Sequence, residues 1–458
     1  MVVGDPLTHG AGVEAIGAEE FDTLIQACPE ALAAKRLAVG VSGGGDSLAL
    51  VLLADAWGRR HEIAITALTV DHGLRADSIV EARQVAGWMK ARAIGHEILS
   101  VTATAPASGV QRAARDWRLA GFDRWRRDHG AGAVLLAHTA EDQAETLWLR
   151  ISADSGPDGL GAMQPQTRIA GLPIVRPLLA ISKQRLIATC RAHGQPWIED
   201  PSNSNPAFDR VRLRRLAPVL GLTGLGADTA QRITASMAMA RRAMDRFCAT
   251  FILDHGGLSP VGIAWFDGVA FAALPVAFSD LLLSRLLWAI GGGALPARRK
   301  RVARLSVALR GSSTVPARTL GGCVISRLID GRVVLFREAA ACAKAVRLEP
   351  SRKTRWDNRF EACWRGSVPV SLGALGAEGW RWMLRHAPES CVNSGLTALP
   401  YAARLSHPAI RELDGTVSVP HFVMGDGMHS TASGWPLDIE FYPDANWIVT
   451  LVKSVDAD

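Results

Sequence analysis

The sequence predicts an α/β fold in which a doubly wound parallel sheet is followed by a helical domain and a smaller mixed or β-rich C-terminal region. Three observations carry this expectation. Short β-branched apolar runs alternate with longer stretches of helical period between about residues 36 and 180. The intervening stretches are long enough to be crossover helices, which makes the strands parallel and the connections right-handed. Polar clusters end three of the runs, at the sheet edge where such folds bind ligands.

The apolar runs are "RLAVGVS" (36–42), "IAITALTVDH" (63–72), "HEILSV" (96–101), "AVLLAHT" (133–139) and "LPIVRPLL" (172–179), with helix candidates near 47–58, 78–93, 109–128 and 141–153. Residues 1–34 read as a flexible lead-in with a short helix, and 35–220 as the sheet domain. The glycine-rich "GLTGLG" (221–226) reads as a boundary before a long helix at 227–255 and a further helical pair. "TLGGCVISRLIDGRVVLFRE" (319–338) alternates like a hairpin with Asp330 and Gly331 at its turn. Residues 221–340 are thus expected to form a mainly helical domain, and 341–458 a turn-rich mixed or β region.

At 458 residues and 48% hydrophobic content the chain has room for roughly three domains. Its longest apolar stretches, such as "GVAFAALPVAF" (268–278), fall short of the ~20 residues that span a bilayer, so no membrane span is expected. The N-terminus has no basic start followed by an apolar core, and the cytoplasm is the expected compartment. Seven scattered cysteines without a CxxC argue for reduced thiols rather than a disulfide framework, zinc site or iron–sulfur site. The excess of 51 Lys+Arg over 44 Asp+Glu, a net charge of +7, is compatible with a polyanionic partner.

The first run ends in "SGGGDS" (42–47), a glycine loop leading into a helix that opens with Asp46 and Ser47. Free backbone N–H groups and a helix N-terminus at one point make an anion site, and glycines let the backbone approach phosphate oxygens. The bland alternative is a plain turn before an N-capped helix. The loop has neither the GxxxxGK[ST] lysine of a Walker loop nor a GxGxxG fingerprint, which disfavours terminal phosphoryl transfer.

SGGGDS resembles the SGGxDS signature of the PP-loop ATP pyrophosphatases, also known as the adenine nucleotide alpha hydrolase-like fold. The resemblance implies that Ser42, Gly43, Gly44, Gly45, Asp46 and Ser47 hold the pyrophosphate end of ATP, with Asp46 a partner of magnesium. Five further motifs follow in order: "VDHGLRADSIVEA" (70–82), "VQRAARDWR" (110–118), "AHTAEDQAETLWLRI" (137–151), "SGPDGLGAM" (155–163) and "WIEDPSNSNPAFDRVRLR" (197–214). Together they resemble the tRNA(Ile)-lysidine synthetase family over about residues 35–220. That resemblance implies ATP-dependent joining of L-lysine to C2 of the wobble cytidine in the CAU anticodon of tRNA(Ile), with AMP and pyrophosphate released and decoding changed from AUG to AUA. The oligomeric state stays open, a homodimer among the options.

Cytosine C2 is a poor electrophile until adenylation turns its O2 into a leaving group, after which the lysine amine attacks and AMP departs. Such chemistry needs orientation and charge stabilisation rather than a protein nucleophile. Asp142 and Glu145, three apart on a predicted helix, place two carboxylates on one face for holding and deprotonating a diamine, or form a solvated acidic face. His138 reads equally as a nucleotide or base contact and as a packed strand-end histidine. Arg115 and Arg118 resemble the family's QAR-type motif and are candidates for phosphate or base contact, although Arg118 reads better as an exposed helix face. Asp200, Ser202, Asn203, Arg210 and Arg214 lie in the last motif, with Arg210 a candidate for carboxylate or phosphate recognition. Two departures stand out: Val211 follows Arg210 where the family has Asn, and Glu141 stands where it often has Asp.

Downstream, Arg298, Arg299, Lys300, Arg301 and Arg304 form a basic run suited to tRNA phosphates or simply to solvent. Trp356 and Arg359 resemble a recurring C-terminal stretch of the family, and read equally as a packed aromatic and a surface arginine. The competing functional readings are a PP-loop tRNA thiolase, against which the missing CxxC counts, a non-catalytic nucleotide- and RNA-binding protein, and an adenine-nucleotide hydrolase that needs no RNA.

Overall fold

In the computed structural model, which describes residues 2–4, 12–73, 78–101, 109–169, 171–199, 209–293, 296–311, 316–393, 396–419 and 437–441, the five apolar runs are strands of one sheet. The chain divides into two units, residues 1–242 and 243–458. The first begins with β1 (Val2–Gly4), α1 (Ala18–Gln26) and α2 (Pro29–Leu32). It then alternates through β2 (Arg36–Gly40), α3 (Gly45–His61), β3 (Ala64–Asp71), α4 (Ser78–Ala91), β4 (Gly95–Ser100), α5 (Val110–Asp128), β5 (Ala133–Leu135) and α6 (Ala140–Ser152). There follow α7 (Pro157–Leu160), β6 (Gln166–Ile169), β7 (Leu172–Val175), α8 (Lys183–Ala192), β8 (Trp197–Glu199) and α9 (Asp209–Leu222), and the division into units falls within α10 (Ala227–His255).

The main sheet has the order β4-β3-β2-β5-β7-β6, parallel throughout except for the antiparallel β6–β7 pair at one edge. Both faces are covered. Leu37 and Val39 join α1, α3 and α8 in one core, while Ala38, between them, faces Phe122 and Trp125 of α5 on the other side. Alternate residues of β2 are therefore buried on both faces, which is why the strand reads as a continuous apolar run. α3 is buried almost all round, through Leu48, Ala49, Leu50, Val51, Leu52, Leu53 and Trp57.

Strand order reverses between β2 and β5: the chain moves outward from β2 through β3 to β4, then returns to β5 on the other side. Adjacent connections leaving in opposite directions open a crevice beyond the carboxyl ends of these two strands. The glycine loop leaves β2 there and the His138–Thr139 turn leaves β5 there.

The second unit contains β9 (Gly256–Leu258), β10 (Ala264–Asp267), α11 (Gly268–Ala273), α12 (Val276–Gly291), α13 (Arg299–Gly311), β11 (Arg318–Leu320), β12 (Cys323–Arg327) and β13 (Arg332–Arg337). Residues 221–340 thus hold, besides helices, a five-stranded antiparallel sheet of order β11-β12-β13-β10-β9. The β12–β13 hairpin turns at Asp330 and Gly331, and Gly331 takes the left-handed φ of 88° that the turn requires. Beyond it lie β14 (Val346–Leu348), β15 (Lys353–Trp356), β16 (Phe360–Trp364), β17 (Val370–Ala374), α14 (Gly376–His386), α15 (Pro388–Asn393), α16 (Tyr401–Leu405), β18 (Pro408–Arg411), β19 (Val417–Ser418) and β20 (Leu437–Phe441), forming two small sheets. Trp356 stacks on Phe360, and Arg359 is buried against Asp357, which also pairs with Arg337 at 2.9 Å. Arg359 is therefore a core ion-pair member and not a surface arginine.

Gly58 of α3 lies where the helix meets the turn into β3: a Cβ there would come within 2.5 Å of the Ile63 carbonyl oxygen. Gly58→Ala gains up to ~1 kcal/mol of helix propensity but forces backbone apart, at about 1–3 kcal/mol. The expected outcome in thermal melting is a net loss of stability; a variant as stable as the parent would show that this turn yields freely.

Candidate active site

The three glycines of the loop have different jobs. Gly43 adopts φ 89°, and its carbonyl accepts the Ile198 N–H at 2.9 Å, tying the loop to β8. Gly45 begins α3 so close to α8 that a Cβ would meet Ile187 Cδ1 at 2.4 Å, and its carbonyl lies 3.2 Å from Cys190 Sγ. Gly44 is the N-cap, with an ordinary extended backbone and no side-chain cap, and a Cβ there would touch only Ser42 Oγ at 3.7 Å. The backbone of Gly43 therefore calls for glycine, a side chain at Gly45 would push the tip of Ile187 aside, and nothing in the free fold calls for glycine at Gly44.

Ser47 is spent inside the loop. Its hydroxyl accepts the Ser42 N–H at 3.1 Å and donates to the Gly44 carbonyl at 2.9 Å. Ser47 therefore shapes the loop, and the donors left for an anion are the first backbone N–H groups of α3, at Gly45 and Asp46. Asp46 Oδ1 is buried with no hydrogen-bond partner, while Oδ2 stands 3.6 Å from Lys183 Nζ. Burial raises the Asp46 carboxyl to about 6, and Asp142 and Glu141 push in the same direction against Lys183.

α6 begins at the end of β5 with a capping box. The Thr139 hydroxyl accepts the Asp142 N–H at 3.4 Å, and the Asp142 carboxylate accepts the Thr139 N–H at 3.0 Å. Asp142 is thus immobilised by the turn that exposes it. One turn on, Glu145 is 5% exposed and its carboxyl is raised by burial against the lowering effect of Arg214, which donates to both its oxygens at 2.5 and 3.3 Å. Arg214 also reaches Asp142 at 3.4 Å.

Asp46, Thr139, Glu141, Asp142, Glu145, Lys183 and Arg214 line the polar end of a cavity of about 700 Å³, whose other walls include Trp148, Ile187, Leu213 and Leu220. Of the expected site residues, Asp46, Asp142 and Glu145 meet here. Arg115 and Arg210 do not line it; they belong to a second, cationic group with Arg118, Arg176 and His138. Burial and mutual repulsion lower the Arg115 and Arg118 guanidiniums, Arg210 acting on both. Arg118 has an exposed side chain, as its position suggested, yet it belongs to this group rather than to a neutral helix face.

Arg176, 3% exposed and without a carboxylate partner among the described residues, is lowered to about 10 by burial and by Arg115. Its Nε donates to His138 Nδ1 at 3.2 Å. Because arginine only donates, Nδ1 is the acceptor and the imidazole proton sits on Nε2. Burial and the surrounding arginines hold His138 neutral, well below its ordinary range.

Sequence reasoning did not single out Lys183 or Arg176, whose partners are far away in the chain, although Arg176 interrupts an apolar strand end. Arg214 appeared only as part of a motif. Val211, in the place of an expected amide, is buried on α9. Asp200, Ser202 and Asn203 lie outside the described residues. None of the seven cysteines lines the cavity, and Cys190, beneath the loop, is buried and raised to about 12.

A doubly wound sheet whose first strand feeds a glycine loop at its switch point defines a PP-loop ATP-binding domain, and residues 17–220 match the family described as PP-loop domain. The chain is 34% identical over 428 residues to the tRNA(Ile)-lysidine synthase of Ruegeria pomeroyi, an alignment covering 93% of this chain and 96% of the relative. It is 38% identical over 303 residues to the tRNA(Ile)-lysidine synthase of Methylobacterium nodulans, covering 64% and 88%. The chain belongs to the tRNA(Ile)-lysidine synthase family. A solved U34-tRNA thiolase from Methanococcus maripaludis aligns with a TM-score of 0.40 and 13% identity over 48% of this chain and 80% of its own.

Folding raises the Asp46 carboxyl from 3.8 to about 6, so the folded state holds that proton more tightly than the unfolded one. Its favourable contribution is complete below pH 3.8 and is lost as pH rises through about 6. Asp46→Asn is expected to raise Tm at pH 7.5 by roughly 1–3 °C, with the gain disappearing toward pH 4, while ATP turnover is lost. Melting curves at the two pH values check it, and an unchanged or lower Tm at pH 7.5 contradicts it.

Proposed function

We propose that this chain ligates L-lysine to C2 of the wobble cytidine of tRNA(Ile) bearing a CAU anticodon, converting ATP to AMP and pyrophosphate. The observation that carries the reading is the meeting, at one cavity, of a glycine loop with uncapped helix N–H groups and a pair of immobilised carboxylates. The two ends suit the two non-RNA substrates: a polyphosphate needs donors, and a diamine needs acids.

In the first step cytidine O2 attacks the α-phosphorus and pyrophosphate leaves; in the second the lysine ε-amine attacks C2, the C2–O2 bond breaks and AMP departs. The Gly45 and Asp46 backbone N–H groups hold the leaving pyrophosphate, where fixed donors stabilise charge without reorganising. The buried, unpartnered Asp46 Oδ1 fits a magnesium ion, which takes one or two carboxylates and completes its shell with phosphates and water. Bound there, the ion supplies charge neutralisation on the departing phosphates.

Asp142 and Glu145 receive the amines of the lysine, and Arg214, which pairs with both acids in the free site, turns to its carboxylate. Glu145, whose carboxyl is raised by burial, is the base that takes the ammonium proton. Arg115, Arg118, Arg176 and Arg210 form a field for phosphate oxygens of nucleotide or RNA, with His138 Nε2–H as a neutral donor. The thiolase alternative gains nothing from the site, since the nearest thiol, Cys190, is buried and protonated.

Away from this site, α13 buries Val302, Leu305, Ser306 and Leu309 and exposes Arg299, Lys300, Arg301 and Arg304, with Arg298 exposed just before it. None of these five cations has an ion-pair partner among the described residues, and we assign them to tRNA phosphates. We accordingly assign chemistry to 35–220 and tRNA binding to 221–340.

The decisive experiment is ATP-dependent incorporation of labelled lysine into unmodified isoleucine tRNA with a CAU anticodon, with methionine tRNA as control. Selective incorporation supports the reading. Its absence, with pyrophosphate still released on adding tRNA, keeps the ATP chemistry and overturns lysine as the second substrate. A triple Ala variant at Arg298, Arg301 and Arg304 is expected to weaken tRNA binding at all sequences and reduce the logarithmic salt slope by about 2, at ~0.7–0.9 per lost phosphate contact. An unchanged slope in binding titrations from low to moderate salt would remove this helix from the RNA interface.

A further inference from the structure

The glycine loop carries no cation of its own, yet a lysine from another helix stands at its carboxylate. Lys183 is the first residue of α8, the end of a helix where a positive charge opposes the macrodipole. Ser182, the N-cap, makes no side-chain cap. That place is taken from another helix: both carboxylate oxygens of Glu141 accept the Lys183 backbone N–H, each at 3.0 Å. Glu141 sits in the first turn of α6, so the three helices α3, α6 and α8 bring their N-termini to one spot. Gly45, against Ile187, and the Cys190–Gly45 contact hold α8 on α3 at that spot.

We infer that Lys183 is the phosphate-binding cation of this site, delivered from α8 in place of a loop lysine, and that Glu141 is its positioning residue. In the free site its ammonium rests 3.6 Å from Asp46 Oδ2 and is half-exposed on the cavity wall. It is a flexible point charge with three donors, suited to moving between a carboxylate and a phosphate oxygen. When the polyphosphate occupies the free N–H groups of the loop, the ammonium transfers to its oxygens and leaves Asp46 to a cation. The carboxylate and the ligand thus exchange one counter-ion. Glu141 serves this by its length: it spans from α6 to the α8 amide, which fixes the Lys183 backbone and leaves only the side chain to swing.

This inference rests on the placing of the polyphosphate at the glycine loop, and the test separates the two. The full-length chain and its variants are titrated calorimetrically with ATP and magnesium in the absence of tRNA, and KM for ATP and for lysine are measured in the incorporation assay. Lys183→Met is expected to weaken ATP binding and raise its KM roughly 10- to 100-fold, the size of a lost charge-assisted hydrogen bond, with KM for lysine unchanged. Lys183→Arg should recover most of the loss, and Lys183→Gln replaces Met should that variant melt early. Glu141→Ala should move ATP affinity the same way, and the double variant should be no worse than Lys183→Met alone.

Gly44→Ala, which the free fold accommodates, tests the loop itself. If it weakens ATP binding while Lys183→Met stays within twofold of the parent, the role of Lys183 is overturned and the loop reading stands. If neither changes ATP affinity, the loop reading fails with it. Additive losses in the double variant would overturn the positioning role of Glu141.

Discussion

The site depends on a single topological fact, the reversal of strand order between β2 and β5. That reversal opens the crevice, and the connections beyond it turn three helix N-termini inward. α3 and α6 are each individually content with acids in their first turns, since Asp46, Glu141 and Asp142 complement the macrodipoles of those two helices, while α8 opens with Lys183. Together they are not content, because the same geometry crowds three carboxylates at one cavity wall. Burial raises the Asp46 carboxyl, Asp142 and Glu141 add to the rise, and its Oδ1 has no hydrogen-bond partner. A position that is locally favourable and collectively strained is what a site for a phosphate-bound cation requires.

Charge is also sorted. Acids with Lys183 and Arg214 occupy the cavity, while Arg115, Arg118, Arg176 and Arg210 gather around His138 with little to neutralise them. A buried arginine without a carboxylate is costly, and the partners that meet Arg176 at the end of β7 are neutral, His138 Nδ1 and the Gln164 carbonyl. The two groups match substrates of opposite sign: an amine for the acids, and phosphates for the arginines. His138, held neutral between them, keeps the boundary without adding a charge to either side.

How far the sequence was readable follows from the range of each interaction. The central strands β2, β5 and β7 were legible because burial on both faces makes them continuous apolar runs, although "AVLLAHT" extends as strand only over Ala133–Leu135; the rest is the turn capped by Thr139 and Asp142. β6, "QTRI", was not legible, being a half-buried edge strand without an apolar face. The loop, Asp142 and Glu145 were legible through local spacing. Lys183, Arg176 and the cap from Glu141 were not, because their partners lie far away in sequence and no period marks them. Ser47 was legible as a loop residue but not as an internal strut, which depends on which way its hydroxyl points.

The absence of an activated nucleophile among the described site residues constrains how the reaction is driven. Ser47 spends its hydroxyl on the loop, Ser42 Oγ lies beside it at 3.3 Å, Cys190 is buried and protonated, and His138 has its Nδ1 taken by Arg176. Acceleration must then come from holding two substrates and meeting the charge that develops on each leaving group, terms that reach several kcal/mol each when the donors are fixed in advance. Fixed donors are what this architecture supplies. The loop amides are held by Gly43 and Gly45 packing, Asp142 by its capping box, and the α8 N-terminus by Glu141. In the free site the ends of Lys183 and Arg214 rest on protein carboxylates, so on the proposed reading binding replaces existing ion pairs rather than ordering new groups. A site that exchanges partners in this way loses little side-chain entropy on closing around its substrates.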